Sequence, residues 1–227
     1  MSRCAIIGVL SLSCLSCSTQ RDTPSTNLSL LGTTTVIDPG HGGKHYGGRG
    51  YGGLLEKNVN LSVALRLQSI LESLGARVVM TRSMDQELSL DLDDDVVRRV
   101  EVVNSVRPDL LLSLHTNYCS SMVPRGFEVW VPKGGTSRGR ASRELAECIR
   151  QELGSLWGSG DRGTKENSLR LLHDTTCPSV LVEMEFITNS AAEVQLSKRG
   201  THALLAEHLA QAVVKWRNLR GSHSKTP

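Results

Sequence analysis

From residue 33 to residue 216, short β-branched or leucine-rich runs alternate with longer segments whose apolar residues recur at helical spacing. No other feature restricts the fold as much, because alternation of this kind closes into a sheet with crossover helices. Residues 33–37 predict a first strand. Over 57–74, Val59, Val63, Leu67, Ile70, Leu71 and Leu74 share a helical face, and Gly75 ends the run. Residues 76–81 predict a second strand. Asp93, Asp94 and Asp95 ahead of Val96, Val97, Val100 and Val103 predict a helix with acids at its positive end, closed by Pro108. Strands follow at 109–114 and 126–131, a helix at 141–157 carrying Leu145, Cys148, Ile149 and Leu153, a strand at 179–182 and a terminal helix at 201–216. The expected architecture is a single α/β domain, a largely parallel twisted sheet flanked by helices on both faces.

The chain has 227 residues, 39% of them hydrophobic, which suffices for one such domain and leaves no room for a second large one. Residues 1–17 read as a leader, with Arg3 followed by apolar and small residues, too short to span a bilayer comfortably. Residues 18–31 are expected to form a polar linker, 32–218 the folded domain and 219–227 a flexible tail. The leader implies export, to the periplasm. Small residues before Cys17 resemble a lipoprotein cleavage site, at which a lipidated Cys17 would attach the chain to a membrane; Cys14 departs from that pattern. Only Cys119, Cys148 and Cys177 belong to the domain, an odd number. With a net charge of +3 and basic residues scattered among acids, nothing points to nucleic acid.

Four stretches, each after an apolar run or a glycine-rich loop, carry groups suited to a metal site: Asp38-Pro39-Gly40-His41-Gly42-Gly43, Glu56-Lys57-Asn58, His115-Thr116-Asn117 and Val182-Glu183. Two imidazoles and a carboxylate make a His2Glu set, which on zinc leaves a fourth position for water, and a second glutamate can serve as base. In a parallel α/β fold, loops converge beyond the carboxyl ends of the strands, so these distant residues are expected to meet there. Duller readings exist for each: Glu56 also suits a helix-start acid, and Glu183 a buried, paired carboxylate. The joint context favours His41 and His115 as ligands, while His45, His173, His202, His208 and His223 read as structural or exposed. Gly48-Arg49-Gly50-Tyr51-Gly52-Gly53 spells a dinucleotide fingerprint but lies some distance past its strand, and the second strand ends without a ribose-binding acid. These glycines are read as letting the loop that carries Glu56 fold over the metal.

Together with Thr81-Arg82, Asp85, Arg99, Asn104, Arg162-Gly163-Thr164-Lys165 and Pro178-Ser179, these motifs resemble the zinc-dependent N-acetylmuramoyl-L-alanine amidases of bacterial cell-wall turnover, the amidase 3 family. The resemblance runs from residue 36 to about residue 215. It implies one Zn2+ ion on His41, Glu56 and His115, and Glu183 as the catalytic glutamate. It also implies peptidoglycan or its muropeptide fragments as substrate, cut at the amide between N-acetylmuramic acid and L-alanine. A zinc peptidase or carboxypeptidase cutting within the stem peptide, and a non-catalytic wall-binding module, are the alternatives. Asn117, Arg162 and Glu185 are candidate substrate contacts; Arg82 and Arg99 are expected to hold loops. A monomer is expected.

Glu185 departs from the family pattern, which has glycine or alanine there. If the strand continues, the two-residue period of a strand puts Glu185 on the face of Glu183, where it would tune that acid or contact substrate. If the chain turns at Met184, Glu185 is a surface charge, and the surface placement is preferred. Only ten residues separate His115 from Gly126, which leaves no room for the blocking helix of self-inhibited relatives.

Overall fold

A computed structural model describes Met1, residues 29–157 and residues 160–223. Apart from Met1, the expected leader with Cys4, Cys14 and Cys17 lies outside the described residues, as do most of the linker and residues 224–227. The strands are β1 (Thr34–Pro39), β2 (Arg77–Met80), β3 (Leu110–Asn117), β4 (Phe127–Pro132), β5 (Asp161–Asn167) and β6 (Ser179–Phe186). The helices are α1 (Glu56–Ser73), α2 (Leu92–Val106), α3 (Ser137–Trp157), α4 (Arg170–His173), α5 (Ser190–Leu196) and α6 (Arg199–His223). All strands join one sheet in the order β2-β1-β3-β6-β4-β5. Four pairings are parallel; β4 runs antiparallel to β6 and takes β5 with it.

The two faces of the sheet are covered unequally. On one, Ile37, Leu112, Leu114, Val129, Val180 and Val182 meet α1, α3 and α6 in the main core. The α1 stripe Val59, Val63, Leu67 and Leu71 is fully or nearly fully buried there, each side chain contributing about 1.5–3 kcal/mol relative to exposure. On the other, a smaller cluster of Val36, Val103, Leu111, Leu171 and Cys177 packs under α2 and α4. The polar residues Asp38, Ser113, His115, Glu183 and Glu128 lie on this same face.

Two local caps explain helix placement. Asp91 accepts from the backbone N–H of Asp94 at the start of α2, and Asn189 does the same for Ala192 at the start of α5, each satisfying one donor of the first turn. Arg107, at φ 50°, turns the chain out of α2 ahead of Pro108.

Three expectations change. The terminal helix runs on to His223, so positions 219–223 of the expected tail are helical. An edge strand, β5, occupies 161–167, where none was predicted. Glu185 is not at the surface: β6 continues to Phe186 and leaves Glu185 only 3% exposed. Among the described residues Cys119, Cys148 and Cys177 are all unpaired, and no helix is long and apolar enough to cross a membrane.

Candidate metal centre

Three side chains from three separated segments converge at the carboxyl end of the sheet. His41 lies just past β1, Glu56 opens α1, and His115 lies near the end of β3. Their ligating atoms all fall within 4.8 Å of one another. Glu56 Oε1 stands 3.3 Å from His41 Nε2 and 2.9 Å from His115 Nδ1. Donors bound at 2.0–2.1 Å on a tetrahedral ion stand about 3.3 Å apart, close to the two spacings from Glu56, so the set fits a zinc-sized cation once the two imidazoles draw closer together.

Each of these three side chains is held by its surroundings. His41 adopts φ 62°, a conformation that β-carbon crowding disfavours and that its environment must enforce. Enforcement comes from two buried arginines. Arg82 donates to the carbonyls of Pro39, Gly40 and Lys57, and Arg99 to those of Pro39 and His41. Both therefore hold loops, as expected from the sequence. Arg99 also pairs with Asp38 at 2.8 Å and Asp95 at 2.6 Å. Burial alone would push the Asp38 carboxyl up, but Arg99 and the hydroxyls of Ser113 and Thr81 hold it down at about 2.

Glu56 enters from the glycine-rich loop, which is pinned from outside: Glu193 of α5 accepts from the N–H groups of Gly52 and Leu54. Inside, Glu56 Oε2 accepts from Gly48 N at 2.6 Å, and Oε1 from Thr116 N and Asn60 Nδ2. Burial would raise the Glu56 carboxyl, but His115 and His41 keep it well below the usual carboxylate range. Gly40 is a close-approach position, because a β-carbon there would overlap the His115 ring.

Glu183 stands in register with His115 on β3 and with Glu128 on β4. Paired residues share a face, so the three form a row across the sheet. One carboxyl oxygen of Glu183, Oε2, is buried with no hydrogen-bond partner. Burial, reinforced by the charges of Glu56 and Glu128, pushes its carboxyl well above the usual range, against the opposing pull of Lys165. On the other side of the two histidines, a cleft of about 300 Å³ opens between Leu92 and Val96 of α2, Leu169 and Leu181.

Of the other sequence candidates, Asn117 donates to Glu128 at 3.1 Å and Arg162 to Glu128 at 3.0 Å. Glu185 is turned inward to the backbone N–H groups of Gly126 and Phe186. A shift of register between β3 and β6 explains it: His115 pairs with Glu183 but Asn117 with Phe186, so β6 holds one extra residue and the two-residue period fails. His45 meets the Ser89 carbonyl and joins no metal cluster among the described residues. Sequence reasoning missed Glu128, whose signal was its alternation with buried Phe127, Val129 and Val131.

Residues 35–215 match the family Amidase_3, N-acetylmuramoyl-L-alanine amidase. The amidase LytC of Bacillus subtilis is 38% identical over 184 residues, covering 81% of this chain and 34% of LytC. The chain thus spans about a third of the length of that relative. Among solved structures, amidase AmiC2 of Nostoc punctiforme is 31% identical with a TM-score of 0.71, covering 81% of this chain and 96% of that one. An N-acetylmuramoyl-L-alanine amidase of Clostridium difficile 630 is 29% identical with a TM-score of 0.75, covering 86% and 98%. A shared sheet, a shared length of domain and a matching family description lead to one conclusion: this chain belongs to the Amidase_3 family of N-acetylmuramoyl-L-alanine amidases.

Proposed function

We propose that this protein hydrolyses the amide between the lactyl group of N-acetylmuramic acid and the L-alanine of the stem peptide in peptidoglycan, using one zinc ion. The observation that carries the reading is the juxtaposition of three clustered donors, His41, Glu56 and His115, with the buried, partly unpartnered carboxyl of Glu183 on the next strand. Two imidazoles and a carboxylate suit zinc, and the second oxygen of Glu56 is already fixed by Gly48. When bound, zinc supplies a Lewis acid for the carbonyl and lowers the pKa of water toward neutrality.

The chain's own groups do the rest. Glu183 has an oxygen committed to nothing else, in a desolvated position where its proton affinity is raised; it takes a proton from the attacking water and returns one to the leaving amine. The cleft beside His41 and His115 offers space for one side of the scissile bond. Asn117 and Arg162 line the other side, tied to Glu128.

Digestion of purified cell wall tests this reading. The expected products are stem peptides with a free L-alanine amino group, lost on chelation and restored by zinc. A mass spectrum showing cleavage within the stem peptide would instead favour a peptidase. We further infer export of the chain, with 1–17 as its leader; fractionation of cells and lipid labelling at Cys17 distinguish a soluble periplasmic form from an anchored one.

A further inference from the structure

Beside Glu183, on the two strands farthest from the histidines, lies a group of charges that the hydrolytic step does not use. Glu128 is 3% exposed and accepts four donors: Asn117 Nδ2 and Trp130 Nε1, each at 3.1 Å, Arg162 Nε at 3.0 Å and Lys165 Nζ at 2.5 Å. Burial would raise this carboxyl, but Lys165 and Arg162 hold it down, so Glu128 stays ionised. Two cations share one anion, which leaves the cluster with an excess of one positive charge.

Both cations are aimed by irregularities in the strands. Residues 162 and 165 are an odd number apart and would point to opposite faces of a regular strand. Between β4 and β5, however, Phe127 pairs with Asp161 and Val129 with Thr164, so β5 holds one extra residue. Gly163 lies in that extra stretch at φ 86°. The bulge brings Arg162 and Lys165 to the same carboxylate. The matching bulge in β6 brings Phe186 under Arg162, whose guanidinium carbon lies 4.9 Å from the ring centroid. Lys165 Nζ lies 5.2 Å from the Trp130 ring. Aromatic faces and a buried anion thus immobilise two long side chains in advance of any ligand.

Their tips are not sequestered. The side chains of Arg162 and Lys165 remain 40% and 34% exposed. Among the described residues, no hydrogen bond uses either Nη nitrogen of Arg162, and Lys165 Nζ, with three donors, uses one. A guanidinium fork beside an ammonium, pre-ordered and carrying excess charge, matches a carboxylate.

We propose that Arg162 and Lys165, clamped by Glu128, form a subsite that reads a free carboxylate on the stem peptide, one or two residues beyond the cut. The proposal rests on the amidase reading above. In such a substrate the glycan side carries amides and hydroxyls, and carboxylates belong to the peptide side. Adjacent strands are about 4.8 Å apart, so β4 and β5 lie roughly 5–10 Å across the sheet from β6, which carries Glu183. An extended peptide advances about 3.5 Å per residue, which puts the α-carboxylate of the second stem residue, D-isoglutamate, within that range. The peptide then lies across β4 and β5, and the sugar toward the cleft between α2 and Leu169.

The test compares N-acetylmuramoyl-L-alanyl-D-isoglutamate with N-acetylmuramoyl-L-alanyl-D-isoglutamine, each with its γ-carboxyl capped as a methylamide, so that they differ only in replacing the α-carboxylate by an amide and the control carries no carboxylate. With the zinc-loaded full chain, we expect kcat/KM about tenfold higher for the acid. Calorimetry with the Glu183→Gln protein should show the same preference in Kd. Adding Arg162→Gln or Lys165→Met to that protein should shrink it to within about twofold, and raising the salt concentration should narrow it too. Equal binding of the two probes, absence of binding to both included, overturns the subsite, as does a preference that survives both substitutions. Product identity separates the two failures: cleavage elsewhere refutes the amidase reading, whereas equal cleavage of both probes at the muramoyl amide refutes only the subsite.

Discussion

Glu183 and Glu128 face each other directly across the antiparallel β6–β4 pair, yet their carboxyls are driven in opposite directions. Both are desolvated. Glu128 has Arg162 and Lys165 within hydrogen-bonding distance and stays ionised; Glu183 has no cation as close and feels Glu128 and Glu56 as like charges. Neighbouring carboxyls whose environments separate their proton affinities can divide the labour of a site, one as a fixed charge and the other as a proton carrier, and the proposed function rests on that division. Placing the pair one strand apart, in register, makes that division a property of the sheet rather than of a mobile loop.

Replacing Glu183 by glutamine should therefore separate chemistry from binding and from stability. Zinc content should stay at one ion per chain, while kcat falls roughly 100- to 10,000-fold. A carboxyl raised by folding lowers stability at every pH above its unfolded value, because the unfolded chain ionises and the folded one resists. Metal-free Glu183→Gln protein should then unfold at higher urea than metal-free wild type at pH 7, and the two should converge near pH 4. Equal midpoints at pH 7 would show that Glu183 is not held in a hostile environment.

Gly40→Ala tests how tightly the proposed metal ligands are packed. A β-carbon at this position overlaps the His115 ring, while the Gly40 carbonyl is held by Arg82 and Asn60, so backbone retreat is opposed. The ring must rotate and carry Nδ1 away from Glu56 Oε1, which breaks up the donor cluster that would hold the metal. The expected result is a protein with native circular dichroism whose zinc affinity falls at least tenfold, read by competition with a chromophoric chelator. Unchanged affinity would mean that the β1 loop yields more easily than its hydrogen bonds indicate.

Much of this molecule was legible in its sequence, for identifiable reasons. The core strands and long helices carry strong apolar periodicity, and His41, Glu56 and His115, which the structure brings together, follow apolar runs or precede one, so both could be picked out without tertiary information. Asp161–Asn167 reads DRGTKEN, with no apolar residue to report a strand, because β5 is an edge strand paired with β4 alone. Its pairing is non-local and its bulge invisible to a two-residue period. The same limit explains Glu185. The preferred surface placement assumes a turn at Met184 and the alternative assumes regular alternation, whereas β6 continues to Phe186 and breaks its alternation after Glu183. Glu128 alternates plainly with Phe127 and Val129, but its importance depends on the register of β4 against β6, which no local pattern encodes.

Metal removal should lower stability by mass action. Zinc at 100 times its dissociation constant stabilises a folded site by about 2.7 kcal/mol, which for a domain of this size corresponds to roughly 5–10 °C in Tm. Calorimetry with and without chelator should show that shift in wild type and none in His41→Ala. His41→Gly should also lose the shift but unfold about 1 kcal/mol later than His41→Ala, because the φ of 62° costs glycine nothing. A His41→Ala protein that keeps its metal-dependent shift would remove His41 from the ligand set.

Asp38 gives the clearest acid dependence of the scaffold itself. Its carboxyl is lowered from 3.8 to about 2 in the folded protein, as Arg99, Ser113 and Thr81 outweigh its burial. A depressed carboxyl contributes stability that is complete above its unfolded value and disappears as pH falls through its folded one. The window is therefore pH 4 to 2, and the shift of nearly two units corresponds to roughly 2 kcal/mol. Asp38→Asn, which leaves Arg99 buried with Asp95 as its remaining carboxylate partner, should cost about 3–5 kcal/mol at pH 7. Below pH 4 the gap between the two proteins should shrink, as wild type loses the charge that the variant never had. Urea titrations of both proteins in chelator at pH 7, 4, 3 and 2.5 remove the metal's own proton linkage from the comparison. A gap that stays constant from pH 7 down to 2.5 would mean that the pair of Asp38 with Arg99 does not govern the acid stability of the loop that carries His41.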